Sequence, residues 1–117
     1  MKDNVIKTKS FFFAIEIIKL SKSLMESKRE YVLSKQVLRS GTSIGAMVRE
    51  SEHAESKNDF IHKLSIALKE ANETEYWLLL LRESQYLTSD ETESILKSIV
   101  EIIKLLTSII KTSKINR

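Results

Sequence analysis

Apolar residues return every three or four positions along four long stretches of this chain, the period of helices that bury one face. The first stretch predicts a helix from about Asn4 to Met25 with two apolar stripes. Phe13, Ile17, Leu20 and Leu24 form one; Phe11, Ile15, Ile18 and Met25, with Lys22 intruding, form the other. One stripe suffices for a core, so the second calls for another partner. The charged run Glu26 to Glu30 reads as a loop. A second helix is expected from about Leu33 to Ala54, with Leu33, Val37, Ser40, Ile44 and Val48 inward. Ser56 and Asp59 read as a capping box that opens a third helix running to about Ser84. Its inward stripe is Phe60, Leu64, Ala67, Ala71 and Leu78, and Ile66, Trp77, Leu80 and Leu81 make a second patch. Thr88 and Glu91 open the fourth helix with another capping box. Ile95, Ile99, Ile102, Leu106 and Ile109 line it, widened by Leu96, Ile103 and Ile110.

This pattern predicts an all-α fold, an antiparallel up-down-up-down four-helix bundle forming one domain over residues 1–117. Composition agrees: the chain has no Pro and only two Gly, so long helices go uninterrupted and the turns of a sheet are hard to supply. Both glycines, Gly41 and Gly45, fall inside the second helical pattern, in the small-residue stretch Ser40 to Ala46. A phosphate cradle would need them in a loop opening a helix. Their helical flanks point instead to close approach of a neighbouring helix.

Few residues suggest chemistry. Glu50 and His53, then Asp59 and His62, have the i, i+3 spacing of di-iron bundle ligands. They sit beside a loop, however, and Glu16 and Glu101 on the other helices lie off the core stripes, so no metal or cofactor is expected. Glu75 falls between Ala71 and Leu78 in the inward pattern, where a carboxylate is either a general base or, the favoured reading, a buried or half-buried polar contact that fixes helix register, with Arg39 or Arg49 as candidate partner. No nucleophile–base arrangement appears, and no catalytic residue is assigned. Cys is absent, which suits a reducing cytoplasm. The longest apolar run, Tyr76 to Leu81, is far short of the roughly 18 residues of a membrane span. The N-terminal region lacks a small-residue cleavage site and reads as a mature cytoplasmic N-terminus.

Charge distribution adds one more element. Residues 1–29 and 97–117 each carry +4 within a net charge of +3, so the middle of the chain is acidic. Lys97, Lys104 and Lys111 recur every seven residues. An antiparallel bundle places the end of helix 4 beside the start of helix 1. That predicts a basic cluster of Lys2, Lys7, Lys9, Lys104, Lys111, Lys114 and Arg117, opposed only by Asp3 and suited to nucleic-acid phosphates. With few aromatics nearby, contact is expected with the RNA or DNA backbone rather than the bases. Phe11, Ile15, Ile18, Ile66, Trp77, Leu80 and Leu81 are the expected oligomer interface.

The segment Gln36 to Ala46, followed by Arg49 and Glu50, and the segment Asp59 to Ala71, continuing through Glu73, Glu75, Tyr76 and Trp77, resemble a known family. These are the four-helix-bundle proteins encoded in intervening sequences of bacterial 23S rRNA genes. Many members carry Asn where this chain has Met47. The resemblance implies an antiparallel bundle assembled as a ring-shaped homopentamer, with no catalytic residues. A related branch, the accessory proteins of diversity-generating retroelements, binds nucleic acid and a reverse transcriptase through a basic surface. Two expectations follow: a non-enzymatic homo-oligomer contacting structured RNA, or a protein-interaction scaffold such as a reverse-transcriptase accessory subunit. A small metal-dependent enzyme is the third and weakest.

Overall fold

The computed structural model describes residues 4–116, which form four α-helices: α1 (Val5–Ser27), α2 (Leu33–Ser51), α3 (Lys57–Glu83) and α4 (Ser89–Ile115). Each helix begins where a side chain satisfies its orphan backbone donors. Asn4 accepts from Lys7 N–H (3.2 Å), Ser56 from Asp59 N–H (3.0 Å) and Thr88 from Glu91 N–H (3.0 Å). The box at α4 is complete, since Glu91 accepts from Thr88 N–H at 2.7 Å. At α3 it is half a box, because the Asp59 carboxylate turns to Glu55 N–H instead (3.1 Å). The cap of α2 differs. Glu30, in the preceding turn, accepts from the N–H groups of Val32 (3.2 Å), Leu33 (2.9 Å) and Ser34 (2.7 Å). α2 ends at Ser51, earlier than the sequence pattern suggests. Here His53 and Ala54 donate only three residues back, to Glu50 and Ser51, which tightens and closes the last turn.

Cross-helix contacts fix the directions. Asn4 donates to Glu52 (2.9 Å) and the Ser21 hydroxyl to the Ser34 carbonyl (3.0 Å), so α1 and α2 run antiparallel. Lys63 meets Glu50 (3.0 Å) while Arg39 meets Glu70 (3.2 Å), so α2 and α3 do too. Lys9 on early α1 meets Glu101 at the middle of α4 (3.4 Å), while Glu16, Lys19 and Leu20 further along α1 border Glu91, Ser94 and Ile95 at the start of α4, so this pair is antiparallel as well. Sequential neighbours and the α1/α4 pair touch, the diagonal pairs do not, and α1/α4 is the least closely packed. The result is an elongated antiparallel bundle measuring 47 × 23 × 21 Å.

The core is built from the expected stripes, including Phe13, Ile17, Leu24, Val37, Ile44, Val48, Leu64, Leu78, Ile99 and Leu106. Three positions on α3 depart from expectation. Ile61 is buried where Phe60 is expected to turn inward, and Phe60 is half-buried. Thr74, not Glu75, occupies the turn between Ala71 and Leu78 and is fully buried. Its hydroxyl donates to the Glu70 carbonyl (2.7 Å) and shares a hydrogen bond with the Ser40 hydroxyl (2.8 Å). Glu75 is half-buried at the edge of the stripe, and its expected partners act elsewhere. Leu81, expected at an oligomer interface, has 0% of its surface exposed and belongs to the protomer core. Ile66, Trp77 and Leu80 remain half-buried on the outer side of α3.

Both glycines serve the α1/α2 contact. A Cβ on Gly41 would lie 2.9 Å from Ile17 Cγ1 and Cγ2, whereas one on Gly45 would lie 3.4 Å from the Ser10 carbonyl oxygen and hydroxyl. Gly41→Ala should therefore cost about 1–3 kcal/mol, because Ile17 is fully enclosed and β-branched. Gly45→Ala should be neutral or stabilising, since the helix gains about 1 kcal/mol of propensity. Thermal melts of the two variants should separate clearly; equal melting temperatures would refute the packing role of Gly41.

Glu30 links the fold to pH. Burial raises its pKa, but hydrogen bonds from Leu33, Ser34 and Val32 outweigh this and hold it below the ordinary value of 4.5. A depressed folded-state pKa means stability that is present above the unfolded pKa and lost as pH falls through the folded one. Glu30→Gln should cost about 1–2 kcal/mol near pH 7, as loss of a cap does. The gap to wild type should shrink in denaturation curves taken below about pH 4.5.

Candidate nucleic-acid and assembly surface

Helix α1 packs one apolar stripe inward and leaves another outside. Phe11 is 46% exposed, Phe12 59% and Ile18 49%, with Ile15 half-buried among them. The two phenylalanines diverge. Phe11 lies under the Arg49 guanidinium of α2, 5.5 Å from its ring centre, a cation–π contact. Phe12 meets Phe11 edge-on at 5.5 Å and faces α4, where it lines a cleft with Thr8, Lys9, Glu16, Ser98 and Glu101.

The basic cluster is not arranged as the sequence suggested. Lys7 pairs with Glu52 (3.2 Å) and Lys9 with Glu101 (3.4 Å), so the α1 lysines already have acidic partners besides Asp3. The acids come from the end of α2 and the solvent side of α4, which a one-dimensional count of helix ends does not bring together. The same end of the bundle carries Glu50, Glu55 and Asp59. Led by Glu50, which accepts a hydrogen bond from the Lys63 ammonium, they raise the pKa of Lys63. Lys2, Asp3 and Arg117 lie outside the described residues. What remains is a strip on the outer face of α4. Lys97, Lys104, Lys111 and Lys114 are exposed, and none pairs with an acid among the described residues. At 1.5 Å per residue, the first three stand about 10.5 Å apart in a line.

On the opposite side, charges are committed. Arg39 bridges Glu70 (3.2 Å) and Glu73 across the α2/α3 groove, and Trp77 Nε1 donates to Glu73 (3.0 Å). The Trp77 bond, then Arg39, hold Glu73 below the ordinary carboxylate range. Trp77 is thus anchored to its own protomer and also packs on the core. The acid–histidine pairs are dispersed. Glu50 is taken by Lys63, Asp59 by Glu55 N–H, and His53 and His62 are exposed. Among the described residues no three His, Cys, Asp or Glu side chains gather in a metal-holding arrangement. No described helix is long and apolar enough to cross a membrane.

Fold and surface together define a small helical-bundle protein whose distinctive features are external: an apolar outer α1 and a lysine strip on α4. The chain belongs to the 23S rRNA-intervening sequence protein family, whose model matches residues 2–108. It is also 60% identical to a protein of unknown function from the S23 ribosomal protein family of Bacteroides thetaiotaomicron, known from a crystal structure. That match covers 95% of this chain and 99% of the other, with a TM-score of 0.92. No curated protein matches the chain.

Proposed function

We propose that this protein is a non-enzymatic homo-oligomer, a pentamer by resemblance, that binds the phosphate backbone of structured RNA in the cytoplasm. The observation that carries the reading is the strip of four exposed lysines on α4, none of which pairs with an acid among the described residues. Unpaired ammonium groups release counterions when they meet phosphates, and that release drives non-specific nucleic-acid binding. The family's tie to 23S rRNA genes favours RNA as the polyanion. Outer α1 supports self-association, because Phe11, Ile15 and Ile18 form a second apolar stripe that the protomer itself leaves partly uncovered. In an assembly each strip is repeated, so weak contacts add through effective concentration. The same apolar face favours a second reading, a scaffold whose partner is another protein such as a reverse transcriptase.

Replacing Lys104, Lys111 and Lys114 with Glu should weaken RNA binding strongly and flatten its salt dependence. The log–log slope should fall by about 0.7–0.9 for each lost phosphate contact. Lys7→Gln with Lys9→Gln should do much less, since those ammonium groups are already paired. Unchanged affinity and slope in the triple variant, with the oligomer intact, would move the scaffold reading ahead.

Ile18→Glu should dissociate the assembly without unfolding the protomer, since Ile18 is 49% exposed within it. Trp77→Glu is a poorer probe, because it would remove a core-packed ring and place a charge beside Glu73. Light scattering at micromolar concentration reads the result, and a monomeric wild type would refute self-association.

A further inference from the structure

We propose that the cleft between α1 and α4 receives one unstacked nucleobase, guanine in preference and uracil last, while Lys97 and Lys104 hold the adjoining phosphates. The proposal rests on the nucleic-acid reading above and adds a base-specific contact to it. The cleft has a volume of about 310 Å³, at the small end of the roughly 300–1,000 Å³ typical of ligand pockets. That suits a single ring system better than a whole oligonucleotide.

Its walls divide by chemistry. Phe12, a residue 59% exposed, supplies an aromatic ring to the lining, and the buried Phe13 and Ile102 close the apolar side. Base–aromatic stacking is the usual means of holding a single-stranded base outside a helix. Around the ring position stand Thr8, Ser98 and two carboxylates, Glu16 and Glu101. Carboxylates only accept hydrogen bonds, so they select bases by donors. Guanine presents its imino N–H and exocyclic amine side by side, matching both oxygens of one carboxylate. Cytosine and adenine present one amine. Uracil flanks its single imino donor with two carbonyls, which a carboxylate repels.

The cleft is also easily opened. The Lys9–Glu101 pair spans α1 to α4, with side chains 44% and 49% exposed, and pairs this exposed contribute little. An entering amine can replace Lys9 on Glu101. Lys97 and Lys104 lie four residues before and three after Glu101, so both border it on one face of α4. A strand following the lysines therefore passes the cleft mouth. The opposing charges do not compete for the outer stripe of α1, because Phe12 faces α4 while Phe11 sits under Arg49 of α2.

The test uses the assembled full-length protein and fluorescence anisotropy with a labelled oligouridine and the same oligomer carrying one central G, A or C. The G-containing strand should bind about ten-fold more tightly than the all-U strand, the scale of a hydrogen bond to a charged acceptor. Phe12→Ala should abolish that preference, and Glu101→Gln should narrow it, because an amide both donates and accepts. Melting temperature and oligomeric state should be unchanged in both variants. Equal binding of all four strands, or a preference that survives Phe12→Ala, overturns the base pocket and leaves backbone binding standing. Dissociation of the oligomer by Phe12→Ala also overturns it, since the cleft would then be an interface between copies. Failure of every strand to bind at low salt overturns both readings.

Discussion

The structure depends on α2 being narrow. Where it meets α1 it carries Gly41 against Ile17 and Gly45 against Ser10, and its Ser34 carbonyl accepts from Ser21. Where it meets α3 it carries Ser40 against Thr74. Small side chains let three backbones approach closely, and the buried hydroxyls find partners at the contact, so no buried side-chain polar atom is left unsatisfied among the described residues. Glycine is spent here rather than in turns. The two left-handed backbone positions that follow α1 and α3 are filled by Arg29 (φ 54°) and Gln85 (φ 69°), residues that carry a Cβ penalty there.

That choice shapes the remaining surface. With α1, α2 and α3 drawn together, the closing seam between α1 and α4 is the loosest of the four. Its neighbouring side chains are long or small instead of interlocking: Lys9, Glu16 and Phe12 on one side, Ser98 and Glu101 on the other. A cleft at this seam is therefore a consequence of tight packing elsewhere. Ion pairs follow the same division. Arg39 and Lys63 bind α2 to α3 through carboxylates, whereas the late α4 lysines are exposed and meet no acid among the described residues.

The bundle was legible because its helices announce themselves twice, in apolar spacing and in caps such as Thr88–Glu91, and both signals are local. What escaped was either one residue out of phase or distant in sequence. Thr74 sits at the buried register, but Thr is not apolar, so a hydrophobic count slides to the neighbouring Glu75. Leu81 lies in a run of four leucines, Leu78 to Leu81, where every face looks apolar and only packing decides. The Glu30 cap has no apolar periodicity to mark it. The pairs Lys7–Glu52 and Lys9–Glu101 join residues 45 and 92 apart, so the acids that neutralise the α1 lysines cannot be found by reading helix ends. Phe12 was visible only as the middle of an apolar run, since its turn toward α4 depends on where α4 lies.

A row of like charges must be tolerated by the fold before it can serve a ligand. Lys97, Lys104 and Lys111 stand about 10.5 Å apart, since seven residues rise 1.5 Å each. The Debye length at physiological ionic strength is about 8 Å, so each ammonium is largely screened from the next. The strip therefore costs the bundle little. A phosphate chain brought against the strip meets each lysine at contact distance, where screening no longer operates. Spacing of this kind separates the two demands: repulsion within the protein decays over the gap, while attraction to a partner acts at each ammonium group. Lys7 and Lys9, one turn from each other's neighbours at the crowded end of the bundle, lack that separation, and there the fold supplies Glu52 and Glu101 instead.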